Sequence, residues 1–334
     1  MKYLGFVRQK LQGLKIYCRW KWHTFEEPIQ RARIRAKLKG SGPVVVRFCS
    51  PGVGLSAHLN WCLWFAGWAE RHGRLFRVEC TSPNYGPGPQ TRDWLPALLH
   101  QTSPFPEGRH PVVHVGRWEY LPVSQEGLPP LSMAEARALF RRHFAVTEHL
   151  LAQVRAFKRT HFGDDFVVGL HYRGTDKALE AVRIAYDDAV LSAERTLRAI
   201  VAHGVTPVLF LATDEAQFVR YVREKLPDFR VVVVEDSLRA VNDEPLHKAA
   251  SNQGLRKAQE ALLDALLLGE SDLLIKTASG LSGWAPILGK EMPVVMLSEP
   301  FAQNAWFPDS AITDCASFIG QEATAVEAAL EMRR

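Results

Sequence analysis

In the stretch VVGLHYRGTDK, an apolar run ends and His171, Arg173, Asp176 and Lys177 follow within seven residues, with Glu180 three positions further on. A guanidinium and an ammonium beside a strand end are donors suited to a diphosphate, and a nearby carboxylate is suited to taking a proton from a hydroxyl. Three more polar clusters stand directly behind apolar runs: Thr213-Asp214-Glu215, Asp236-Ser237 and Thr277-Ala278-Ser279-Gly280. Ser279-Gly280 opens a helix, whose free N–H groups favour anions. Singly, each has a plainer role. Arg173 alone reads as a salt bridge to Asp176 or Glu180, Glu180 as a helix-start acid, and the whole stretch as a solvated loop. Four such clusters on one rim are better explained by a site.

The elements that must bring them together follow from hydrophobic periodicity. Apolar strands at 166–172, 206–212, 229–235, 272–276 and 293–297 alternate with helical segments at 186–203, 215–225, 250–268 and from about 281. That alternation predicts a parallel sheet covered on both faces, with ligands at the strand carboxyl ends. Upstream, Val44 to Phe48 reads as a strand, then SPGVGLSAHLNWCLWFAGWAERHG as a glycine-bearing turn and a long apolar helix ending at Gly73. Leu75 to Val78 and Val112 to Val115 are further strands, residues 81–110 an irregular excursion, and Met133 to Phe162 a helical connector. The expected class is α/β, with a basic N-terminal extension (1–40), an N-terminal α/β domain (41–160), a C-terminal Rossmann-like domain (161–300) and a helical tail (301–334).

Composition narrows the function classes. At 334 residues the chain exceeds one ordinary core, so two domains are the natural expectation. The first forty residues hold about eleven Lys/Arg against two Glu, a net charge of about +9; the whole chain is +5, which leaves about −4 on the body. The basic character therefore belongs to the extension. There Leu4, Val7, Leu11, Leu14 and Cys18 recur at helical spacing between Arg8, Lys10 and Lys15, the pattern of a helix on an anionic membrane surface or of one packed on its own protein. No basic and aromatic pattern continues into the body, so nucleic-acid binding is not expected. Cysteines 18, 49, 62, 80 and 315 form no C-x-x-C pair, which disfavours a zinc site or disulfide framework and suits a reducing compartment. The start resembles no ordinary secretory signal. SPGVGLSA lacks the Lys-Ser/Thr end of a P-loop, its glycines do not complete G-x-G-x-x-G, and D-x-D is absent. A nucleotidase and a dehydrogenase are thereby disfavoured, and a departing diphosphate would be neutralised by Arg, Lys and helix N–H groups, with no metal.

HYRGTDK followed by ALEAV resembles the H-V-R-R-T-D-K motif of the α-1,6-fucosyltransferases and their nodulation relatives. LFLATDEAQF resembles that family's second motif and LRKAQEALLDALLLGESDLLIKTASGLSGWA its third, in the same order. The specific likeness covers residues 165–290; the N-terminal half matches in layout. The resemblance implies a GT-B-like fold of two Rossmann-like domains, an inverting reaction, GDP-fucose as donor, a saccharide acceptor and no metal cofactor. It implies that His171 and Asp264 contact the guanine, Asp264 accepting from N1–H and N2–H together. Arg173 would hold the β-phosphate with Thr277, Ser279 and Gly280 beside it, and Asp214 would line the donor pocket. Glu180 would be the base, with Asp176 as the other candidate, because the spacing from the motif is one residue short. The motif's second Arg is Gly174 here and the second Ser of its S-S pair is Gly280. These departures leave open another GDP-sugar, or a non-catalytic nucleotide-sugar or glycan-binding protein. A bacterial cytoplasmic enzyme, with or without peripheral contact at the inner membrane through residues 1–40, fits better than a secretory-pathway one.

Overall fold

The computed structural model describes residues 28–51, 53–85, 92–121, 131–174, 181–239, 253–304 and 306–334. Most of the basic extension, together with Asp176, Lys177 and Glu180, lies outside the described residues. The chain is α/β with two parallel sheets, as expected.

Residues 28–38 are helical (α1). In β1 (Val44–Phe48) the inward residues Val44, Val46 and Phe48 are fully buried. Helix α2 (Leu55–Arg71) buries residues on every side, among them Leu59, Trp61, Leu63, Phe65 and Trp68, which marks it as an interior helix. After β2 (Phe76–Cys80) and β3 (Leu99–Gln101), β4 (Val112–Val115) completes a three-stranded parallel sheet of order β2-β1-β4.

The connector is not one helix. Helix α3 (Met133–His143) starts with a capping box between Ser132 and Glu135, and the chain then extends as β5 (Phe144–Val146) before α4 (Glu148–Phe157). Strand β5 pairs antiparallel with β3 inside the supposed irregular excursion. Thr102 Oγ1 donating to Arg142 O at 2.8 Å secures the junction. A tertiary pairing overrides helix propensity over three residues.

The second sheet is built from β6 (Phe166–Tyr172), α5 (Tyr186–Ala202), β7 (Pro207–Thr213), α6 (Ala216–Lys225), β8 (Arg230–Val232) and α7 (Gly254–Gly269). Next come β9 (Leu273–Lys276), α8 (Gly280–Gly283), α9 (Ala285–Leu288), β10 (Val294–Met296), α10 (Asp309–Thr313), β11 (Ser317–Phe318) and α11 (Glu322–Arg333). The helix expected from about 281 is broken in two at Trp284, because Pro286 in the first turn of α9 has no N–H to continue it. Strand order is β11-β10-β9-β6-β7-β8, all parallel. The chain runs outward from β6 to β8, returns to β9 beside β6, and runs outward the other way. The reversal lies between β6 and β9, and in open α/β sheets that crevice is where ligands bind. Residues 301–334 also supply the edge strand β11, and α11 packs on α5.

Alternation along β6 sends Val168, Leu170 and Tyr172 into a core shared with α5, α6 and α11. Val167 and His171 point the opposite way, and on that face Val167, Val208 and Phe210 join a cluster running through α7 and α2 into the first sheet. Asn60 on α2 fastens the two halves: its Nδ2 donates to Phe307 O at 2.5 Å, and its Oδ1 accepts from Trp284 Nε1 at 2.8 Å.

Candidate functional site

At the switch point the ends of β6 and β9 are tied crosswise. Thr277 N–H donates to His171 O, and Arg173 N–H donates to Thr277 Oγ1, both at 3.1 Å. A cleft of about 830 Å³, counting its open mouth, lies above them. His171, Arg173, Asp214 and Asp264 all line it, although they come from β6, the ends of β6 and β7, and the middle of α7. Gly54, Leu55, Ser56 and Tyr85 of the first half form the opposite wall. Thr277, Ser279 and Gly280 stand behind this lining. Thr277 anchors the Arg173 backbone, and Ser279 is buried with its Oγ lacking a hydrogen-bond partner among the described residues.

Electrostatics divide the cleft into two ends. At one end, burial pushes the Asp264 carboxyl up to about 7, with Arg239 opposing and Glu260 and Asp214 adding to the rise. A carboxyl so placed binds a proton near neutrality until something supplies hydrogen bonds to its anion. At the other end, burial pushes the Tyr85 hydroxyl up to about 12 against the nearby charge of Arg173. That end also receives the start of α2, whose N-cap Gly54 offers no side-chain cap and whose first turn has no acid. His58 holds this turn by donating Nδ1–H to Gly54 O at 3.0 Å; burial lowers its pKa to about 4 and keeps it neutral. Seventeen residues of α2 bring a fuller helix dipole to the cleft than the four of α8.

At both glycines that depart from the first and third motifs a side chain would crowd its neighbours. A Cβ at Gly174 would run into the Glu215 carboxylate and lie 3.0 Å from the Tyr172 ring. Glu215 is buried and accepts from Tyr186 Oη, while Tyr172 Oη donates to Ile184 O at 2.7 Å. A side chain at position 174 would thus have to displace the buried Glu215. A Cβ at Gly280 would lie 3.1 Å from Ser56 Oγ, so the glycine lets α8 meet the start of α2.

Four polar lining residues escape the sequence reading: Ser56, Tyr85, Lys257 and Glu260. The last two had a signal, since Lys257, Glu260, Ala261 and Asp264 share one helical face. Tyr85 had none, because it follows the strand β2 in a Pro- and Gly-rich segment with no period. Among the described residues no group of three or more His, Cys, Asp or Glu is placed to hold a metal, and no helix is long and apolar enough to cross a membrane. Four cysteines, 49, 62, 80 and 315, are free.

No protein-family model and no curated protein matches the chain. Solved structures do. NodZ α-1,6-fucosyltransferase soaked with GDP-fucose is 17% identical, with a TM-score of 0.46, covering 78% of this chain and 96% of that one. A mutant of Arabidopsis thaliana FUT1 in complex with GDP is 12% identical, TM-score 0.46, covering 84% and 77%. POFUT1 in complex with GDP-fucose is 11% identical, TM-score 0.35, covering 76% and 73%.

Proposed function

We propose that the protein is a glycosyltransferase that moves fucose from GDP-fucose to a saccharide hydroxyl with inversion and without a metal ion. One observation carries this reading. His171, Arg173, Asp214 and Asp264, singled out from three separated motifs, converge on a single cleft at the switch point. A chance resemblance of short strings would not be expected to aim four side chains at one space.

In this reading Asp264, as its anion, accepts from guanine N1–H and N2–H, and His171 flanks the base. Arg173 and the N–H groups of the first turn of α2 hold the diphosphate. The acceptor oxygen attacks the anomeric carbon as the bond to the β-phosphate oxygen breaks. The electron pair leaves with GDP, and a carboxylate takes the hydroxyl proton. Arg173 acts most strongly here, because charge on the leaving oxygen grows toward the transition state. Glu180 is the proposed base, with Asp176 the alternative. The work is expected in a bacterial cytoplasm, and contact of residues 1–40 with a membrane surface belongs to the same proposal.

The test is nucleotide-dependent thermal stabilisation followed by turnover. GDP should stabilise the protein by about 2.7 kcal/mol at one hundred times its dissociation constant, and UDP far less. GDP-fucose should be consumed in the presence of EDTA. Equal response to GDP and UDP sinks the guanine assignment; activity that EDTA abolishes and magnesium or manganese restores sinks the metal-free mechanism. GDP-fucose bound tightly but neither transferred nor hydrolysed would point to the non-catalytic alternative.

A further inference from the structure

We infer that Lys257 is a second cationic ligand of the donor diphosphate, gripping from α7 the charge that Arg173 grips from β6. This deepens the proposed function and rests on it. The cleft walls carry three acids, Asp214, Glu260 and Asp264, against two cations, Arg173 and Lys257. Glu260 is already engaged, accepting from Leu238 N–H at 2.8 Å and from Arg256 Nε at 2.6 Å. A nucleoside diphosphate adds further negative charge to this acid-rich cleft, so both cations are needed at its phosphate end.

Helix α7 indicates which end Lys257 serves. Its first residue, Gly254, is pressed on the turn of Asn84 and Tyr85 so closely that a Cβ would lie 2.6 Å from Asn84 O. Tyr85 is the residue that senses the Arg173 charge and whose hydroxyl stands beside Gly54. Lys257 is one turn from that junction. Asp264 is seven residues further on, on the same helical face, about 10 Å along the axis at 1.5 Å per residue. That separation is on the scale that divides the base of a nucleoside diphosphate from its terminal phosphate. One face of α7 thus presents an acceptor for the base at one end and a cation for the phosphates at the other. A second arginine beside Arg173 would have to displace Glu215, and Lys257 supplies the charge from across the cleft.

The experiment is calorimetric titration of GDP and GMP into wild type, Lys257→Gln and Lys257→Arg, at two salt concentrations. Thermal melts of all three proteins control for a change in the fold, and Lys257→Arg keeps the charge and the length of the half-buried side chain. Lys257→Gln should lose about tenfold or more in GDP affinity, lose little for GMP, and show a shallower salt dependence. Lys257→Arg should keep most of the GDP affinity. Equal loss for both nucleotides, or none for either, overturns the inference, since a ribose contact or a structural role does not sense the β-phosphate. UDP and UMP run in parallel separate the two proposals. A wild type that prefers no base fails the guanine reading, yet a selective loss of diphosphate over monophosphate affinity on Lys257→Gln still upholds Lys257.

Discussion

Asp264 is under two opposed demands. Burial raises its pKa to about 7, whereas the proposed reading of guanine requires the anion. The folded-state value lies above the unfolded one of about 3.9, so ionising Asp264 costs folding free energy. That cost is absent below pH 4, grows as pH rises, and is complete above about 7. Asp264→Asn should therefore raise the melting temperature little near pH 4.5 and clearly at pH 8. The gain should be about 2 kcal/mol, less than the whole shift implies because water still reaches the side chain. The same variant should lose its preference for GDP over UDP, and wild-type GDP affinity should climb between pH 6 and 8. A variant no more stable at pH 8 would show that burial does not strain the carboxylate. In the proposed mechanism Arg173 and Glu180 separate binding from chemistry. Arg173→Ala should weaken GDP binding and raise the transfer barrier by about 3 kcal/mol. Glu180→Gln should keep GDP affinity and slow transfer by about 10²–10⁴-fold. Transfer at the wild-type rate would move the base to Asp176. Residues that end strands, such as Arg173 and Asp214, were legible in the sequence because the rim rule points at strand ends. Tyr85 and Ser56 were not, since their place in the cleft depends on how one half of the chain meets the other.

At the scale of elements, glycines set how closely α7, α8 and the start of α2 approach. Gly254 begins α7 directly against the backbone of Asn84 and Tyr85, and that contact fixes the height of Lys257 and Asp264 above the sheet. Replacing glycine by alanine in a helix ordinarily gains up to about 1 kcal/mol. Here the methyl group meets backbone that cannot rotate away. Gly254→Ala should destabilise the fold by about 1–3 kcal/mol and weaken GDP binding, with thermal melts and titration as the readouts. A stabilised variant would mean that α7 floats free of that turn. Five strands of the second sheet could be read from sequence because each is an unbroken apolar run between helices of matching period; the two-residue edge strand β11 (Ser317–Phe318), in the expected helical tail, could not. Strand β5 could not, because Phe144-Ala145-Val146 continues a helical pattern and becomes a strand through its partner, β3, more than forty residues away. The break between α8 and α9 was missed, although Pro286 carries the signal for it.

The molecule as a whole joins its two sheets through one apolar cluster, which bears on how it unfolds. Val44, Val46 and Phe48 of the first sheet and Val167, Val208 and Leu274 of the second belong to the same buried cluster, bridged by Leu59 and Leu63 of α2 and Leu262 and Leu266 of α7. Helix α2 supplies the first sheet with its covering and the second with a neighbour, so neither half can expose its core without exposing part of the other's. Asn60 adds a polar rivet, serving buried groups on both Trp284 and Phe307. Heating should therefore give one endotherm whose van't Hoff and calorimetric enthalpies agree. Asn60→Ala leaves the Trp284 N–H and the Phe307 carbonyl without partners. It should cost about 2–4 kcal/mol and lower that single transition by a few degrees without dividing it. GDP, reaching both walls of the cleft, should move the whole endotherm upward. Two resolved transitions in wild type, only one of them responding to GDP, would mean that the halves fold as separate units and that the cluster is a contact surface between them.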